Sequence, residues 1–140
     1  MSFRSYSFRG IGFDLSRADK KDIFEFFKKH EKSISEYVRE DIMAVVNDED
    51  SDLYDLQDLS ENMCVGEFVA DIMNEETGYH FDYIEGDYGE DAVLFSPRYS
   101  WENNEREKTA TFEDIKAVVD AYAEEFNLLA DYYMDIEVSG

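Results

Sequence analysis

At 140 residues the chain is sized for one domain with a buried core, and 44% hydrophobic content with 11 Phe, 10 Tyr and one Pro excludes a disordered acidic tail. A formal net charge of −22 argues against direct binding to nucleic acid or to an anionic membrane, and one cysteine, Cys64, excludes an internal disulfide or a multi-cysteine metal site. No apolar run reaches the ~18 residues of a membrane span and no signal-peptide core opens the chain, so a soluble intracellular protein is expected.

Residues 3–13 alternate as a strand, with Tyr6 and Phe8, then Ile11 and Phe13, two apart; the change of parity near Gly10 predicts a bulge. Ser16 with Asp19 three residues on resembles a capping box and predicts a helix to about His30, with Ile23, Phe26 and Phe27 inward, Phe24 at the margin, and Lys20, Lys21, Lys28, Lys29 and Lys32 outward. A second helix, from Ser33 or Ser35 to about Val46, is expected to bury Ile34, Tyr37, Val38, Ile42, Val45 and Val46. A third runs from Ser60 to about Glu76 with Met63, Cys64, Phe68, Ile72 and Met73 inward, and stops at Gly78.

Residues 79–85 and 91–96 then form a hairpin about Gly86-Asp87-Tyr88-Gly89, ended by Pro97, with residues 99–101 as a candidate short edge. Thr111 with Asp114 opens the longest helix, to about Leu129, on a stripe of Phe112, Ile115, Val118, Val119, Tyr122, Ala123, Phe126 and Leu129. Tyr132, Met134, Ile136 and Val138 alternate with Tyr133, Asp135 and Glu137 as a final strand. The order predicts a single α+β domain over residues 1–140, a small, mainly antiparallel sheet packed against about four helices.

The charge is segregated along the chain. From Glu40 to Pro97 there are 18 carboxylates and no Lys or Arg, whereas residues 1–39 carry a net +3 and residues 98–140 a net −7. Solubility alone is served by a mixed surface with a net charge of roughly 2 to 8. Within this stretch Asp48, Asp50 and Asp52 match the first ligand positions of a calcium loop, but Leu53 stands where its glycine belongs and Leu59 where its bidentate Glu belongs, so no such site is expected. Leu53, Leu56 and Leu59 predict a helical turn docked on the core. His80 and Asp82 share a strand face without a third group to complete a metal or catalytic set. No P-loop, Gly-x-Ser-x-Gly, His-Glu-x-x-His or Cys-His pattern occurs, so neither enzymatic activity nor a cofactor is expected.

Duplex DNA presents one negative charge per roughly 1.7 Å of axis, and carboxylates four apart on a helix, here Glu67, Asp71 and Glu75, stand ~5–6 Å apart at Cβ and can substitute for phosphates. In its basic-free stretch, and in runs such as Asp48-Glu49-Asp50 and Glu85-Gly86-Asp87, the chain resembles the small acidic phage and mobile-element inhibitors of host defence, the anti-restriction DNA mimics and several anti-CRISPR proteins. The resemblance implies an inhibitor acting in the bacterial cytoplasm. Its partner would be a basic nucleic-acid-binding protein, a Cas effector or restriction enzyme, blocked for instance at a Cas9-type PAM-reading cleft. Candidate contacts are Asp48, Glu49, Asp50, Asp52, Asp55, Asp58, Glu67, Asp71, Glu75, Asp82, Glu85, Asp87 and Tyr88, with Tyr54, Tyr79 and Tyr83 as further anchors. Two other readings fit the composition: an immunity protein neutralising a basic toxin nuclease, and a salt-adapted or calcium-buffering acidic protein without a specific partner.

Overall fold

A computed structural model describes residues 5–59, 64–96 and 103–139. The elements are β1 (Ser5–Asp14), α1 (Lys20–Lys29), α2 (Glu36–Val46), α3 (Leu53–Gln57), α4 (Val65–Thr77), β2 (Asp82–Glu85), β3 (Asp91–Phe95), α5 (Glu105–Thr109), α6 (Phe112–Glu125) and β4 (Asp131–Ser139). The strands make one antiparallel sheet in the order β2-β3-β1-β4, so the α+β expectation holds. The expected bulge is present: the β1–β4 register shifts between Gly10 and Gly12. Glycine is required at both positions, because a Cβ there would stand 2.1 Å from the carbonyl oxygens of Phe95 and Val93 on β3.

One face of the sheet carries the helices. Phe13 from β1 meets Phe126 beyond α6 at 5.7 Å between ring centroids, and Phe126 meets Phe26 of α1 at 4.7 Å. Ile42, Val46, Leu56, Phe68, Ile72, Ile115 and Val119 complete this core with Val93. The apolar stripes read from the sequence thus converge on one cluster, and its continuity rather than any single contact holds the helices. The opposite face buries its own smaller cluster, Ala92, Leu94, Met134 and Ile136, with Ile84 and Val138 beside it. The β2–β3 turn arches back over that face. The Asp87 N–H donates to the Glu137 carbonyl at 2.9 Å, and a Cβ on Gly86 would lie 2.9 Å from Ile136.

Several local expectations are corrected. Ser16 does not cap α1: its N–H donates to the Asp14 carboxylate at 3.0 Å, winding a 3-10 turn over Leu15–Arg17, and α1 starts after Asp19. Tyr37 is 96% exposed, since the α2 stripe runs Val38, Ile42, Val45, Val46 and leaves the preceding position outside. Cys64 is the extended, half-buried N-cap of α4 rather than a helical core residue; Ser60 and Met63 lie outside the described residues, as do Pro97 and the candidate edge at 99–101. α6 stops at Glu125, Asn127 turns the chain with φ 56°, and Leu129 is left 95% exposed. The short α5 was not anticipated. Its capping box, Asn104 with Glu107, docks on the end of α4 through Asn104 Nδ2 and the Gly78 carbonyl, at 2.7 Å.

Candidate functional site: the acidic surface

The acidic stretch folds as adjoining elements: α3 packs on α2 and α4, and α4 packs on β2 and β3. In the loop before α3, local chemistry claims several carboxylates. Asp48 accepts the Asp50 N–H at 3.0 Å, Asp52 accepts the N–H groups of Tyr54 and Asp55 at 3.0 and 3.2 Å, and Asp55 accepts the Asp52 N–H at 2.8 Å. Asp52 and Asp55 are therefore the two halves of a capping box. Glu49, Asp50 and Asp58 are exposed, and their carboxylates accept no such bond among the described residues. Lys20 ties the loop to α1, donating to the Ser51 carbonyl at 2.8 Å.

On α4, Asp71 and Glu75 are exposed and Glu67 is half-buried, so the predicted row of three stands along one side of the helix. Surrounding protein raises the Asp71 carboxyl above its ordinary range, and the positive charge of His80 offsets this in part. Asp82 is half-buried at 3.2 Å from His80 Nε2, and Glu85 is exposed. Asp87 and Tyr88 are exposed too, but the turn that bears them lies against β4, on the other side of the sheet from α4. Asp87 is a fastener: it accepts from the Ser139 N–H and Oγ at 3.0 and 2.6 Å, and these bonds hold its carboxyl below the ordinary range.

Two expected anchors are corrected. Tyr79 is buried with the Arg106 guanidinium over its ring at 4.8 Å, and Tyr83 is half-buried, donating from its hydroxyl to Asp91 at 2.8 Å. Burial first, and then this bond, drives the Tyr83 hydroxyl far above its ordinary value. Tyr54 and Tyr88 remain exposed.

Ion pairing separates this stretch from the rest of the surface. Among the described residues, lysine and arginine pair with Asp14, Glu25, Glu105, Glu125 and Asp135, all outside the Glu40–Asp91 stretch. Apart from Asp82, none of the described carboxylates from Glu40 to Asp91 reaches a lysine or arginine among those residues. Glu76 is neutralised differently, by a cluster that sequence reasoning missed. His30 Nδ1 lies 2.7 Å from Glu76 and its Nε2 lies 2.8 Å from Glu125, while Ser33 Oγ and the Tyr122 hydroxyl donate to Glu76 at 2.6 and 2.7 Å. Burial alone would raise the Glu76 carboxyl; the bonds from Ser33, Tyr122 and His30, with the His30 charge, outweigh it and hold the group low. The two glutamates are 46 and 95 residues from His30, so no local pattern could have disclosed the cluster.

Among the described residues no group of three His, Cys, Asp or Glu side chains is placed to hold a metal ion, and no helix is long and apolar enough to cross a membrane. Comparison with protein-family models, with curated proteins and with solved structures finds no match.

Proposed function

We propose that the protein is an inhibitor that imitates nucleic acid and occupies the basic cleft of a DNA- or RNA-binding effector, a Cas9-type nuclease being the favoured target. The observation that carries this reading is the run of carboxylates along α3 and α4 that stand without lysine or arginine partners among the described residues. Like charges four apart on a helix cost a few tenths of a kcal/mol each, a standing penalty that a basic partner would turn into affinity. The separate fastening of Asp48, Asp52, Asp55 and Asp87, the contact of Asp82 with His80 and the placement of Tyr88 on the turn against β4 narrow the contact set to Glu49, Asp50, Asp58, Glu67, Asp71, Glu75 and Glu85, with Tyr54 as the exposed aromatic beside them. Rigid carboxylates compete with DNA by the counterion release and steering that DNA itself uses.

The test is displacement of labelled duplex from purified effectors by the protein and by its Glu67→Gln/Asp71→Gln/Glu75→Gln variant. Steeply salt-dependent displacement that the triple variant loses by at least about tenfold supports the reading. Equal displacement by variant and parent would move the contact away from α4.

A further inference from the structure

Three helix C-termini converge on His30. The residue caps α1, its N–H donating to the Phe26 carbonyl at 3.0 Å, and it opens a 3-10 turn, Glu31–Ser33, its carbonyl accepting from the Ser33 N–H at 2.9 Å. Around the ring stand Glu76 from the last turn of α4, Glu125 and Tyr122 from the last turn of α6, Ser33 from the 3-10 turn, and Phe26 of α1 with its ring centroid 4.3 Å away. Lys29 shares the Glu125 oxygen that faces Nε2, at 3.1 Å. A helix C-terminus carries partial negative charge, so two carboxylates at such a junction call for a cation between them.

The ring geometry makes that need specific. Nδ1 lies 2.7 Å from Glu76 and Nε2 lies 2.8 Å from Glu125, and a neutral imidazole has one N–H and one lone pair to offer. The lone pair would then face a carboxylate oxygen at hydrogen-bond distance, a repulsion relieved by separating the two or by protonating the carboxyl. Ser33 and Tyr122 cannot take over the lost bond, since both already donate to Glu76. Burial first, and then that bond to Glu76, hold the Tyr122 hydroxyl above its ordinary value, so it stays a donor.

We propose that His30 is a proton-operated staple: with both ring nitrogens protonated it fastens the C-terminal ends of α4 and α6 to α1, and the loss of its second proton releases one of them. The staple stabilises the junction while the ring is a cation and stops doing so as rising pH removes that proton. Glu76 acts with the opposite sign at the acid end, where its contribution is lost as pH falls. The junction is therefore tightest between the two limits. The device stands apart from the proposed function, since it concerns how α4 is held and not what its carboxylates bind.

The experiment follows the ring nitrogen and proton signals of His30 and the amides in the last turns of α4 and α6, in the isotope-labelled protein at fixed ionic strength, from about pH 5 to about pH 9, which brackets histidine titration. Both ring N–H protons are expected at the acid end. As the second is lost, exchange protection in those two turns, referred to the unfolded chain, should fall at least about tenfold in one of them. His30→Gln should lack this step, and His80→Gln, which removes the other histidine, should keep it. A ring whose protonation does not change across the span, a ring that loses its second proton with both helix ends unchanged, or a step that persists in His30→Gln would overturn the proposal. The first two outcomes are read in the unaltered protein, so they decide the matter even where a variant fails to fold.

Discussion

His30 shows how one residue can join elements that the sequence keeps far apart. Its side chain is 11% exposed and both ring nitrogens face carboxylates, and only the doubly protonated ring donates at both. His30→Ala leaves Glu76 and Glu125 facing each other with Lys29 as the remaining cation, and should cost about 2 kcal/mol in urea unfolding. Glu76 also sets a pH dependence. Its folded carboxyl lies below the ordinary 4.5, so its contribution is present above that value and is lost as pH falls through the folded value. Asp71 works oppositely: its raised carboxyl favours the fold below its ordinary 3.8, and that contribution is lost as pH rises through the folded value. Glu76→Gln should therefore flatten the acid limb of stability against pH, and Asp71→Asn should remove the penalty above it; unchanged limbs would contradict both assignments.

At the level of the elements, patterning made much of the fold legible. The Thr111 and Asp114 capping box, the α6 stripe from Ile115 to Phe126, the Gly78 stop and the alternation of β4 could all be read because each depends on neighbours in sequence, whereas Phe112, expected in that stripe, is 50% exposed in the first turn. The errors arose where a local signal had two uses. Asp14 took the Ser16 N–H before Ser16 could act as a cap, and Asn127 ended α6 before Leu129 could join its stripe. The candidate site was legible in composition and less so in role, since a carboxylate aimed at a partner and one that caps a helix are the same residue type. The distinction is measurable on α3 and α4. Asp52→Ala should destabilise by about 1 kcal/mol through loss of the cap. Glu75→Gln, which relieves a like-charge neighbour and an acid in the last turns of α4, should stabilise by a few tenths of a kcal/mol. A stabilising Asp52→Ala would refute the capping role.

For the whole molecule, a net charge of −22 makes self-repulsion a standing cost that salt screens, so the melting temperature should rise with ionic strength. A flat response would mean that the charges are already neutralised within the fold. Basic groups concentrate in residues 1–39, and Lys20, Lys28 and Lys29 of α1 are taken by the Ser51 carbonyl, Glu25 and Glu125, whereas the exposed carboxylates of α3 and α4 find no lysine or arginine among the described residues. That asymmetry is what the mimicry account uses. The most direct test is competition between the protein and labelled duplex DNA for a guide-loaded Cas9-type effector, read across a salt series. The account predicts displacement at low salt, weakening steeply as salt rises, and loss of displacement when Glu67, Asp71 and Glu75 are neutralised together. DNA that stays bound at every protein concentration at low salt, on that effector and on a panel of restriction enzymes, would contradict it.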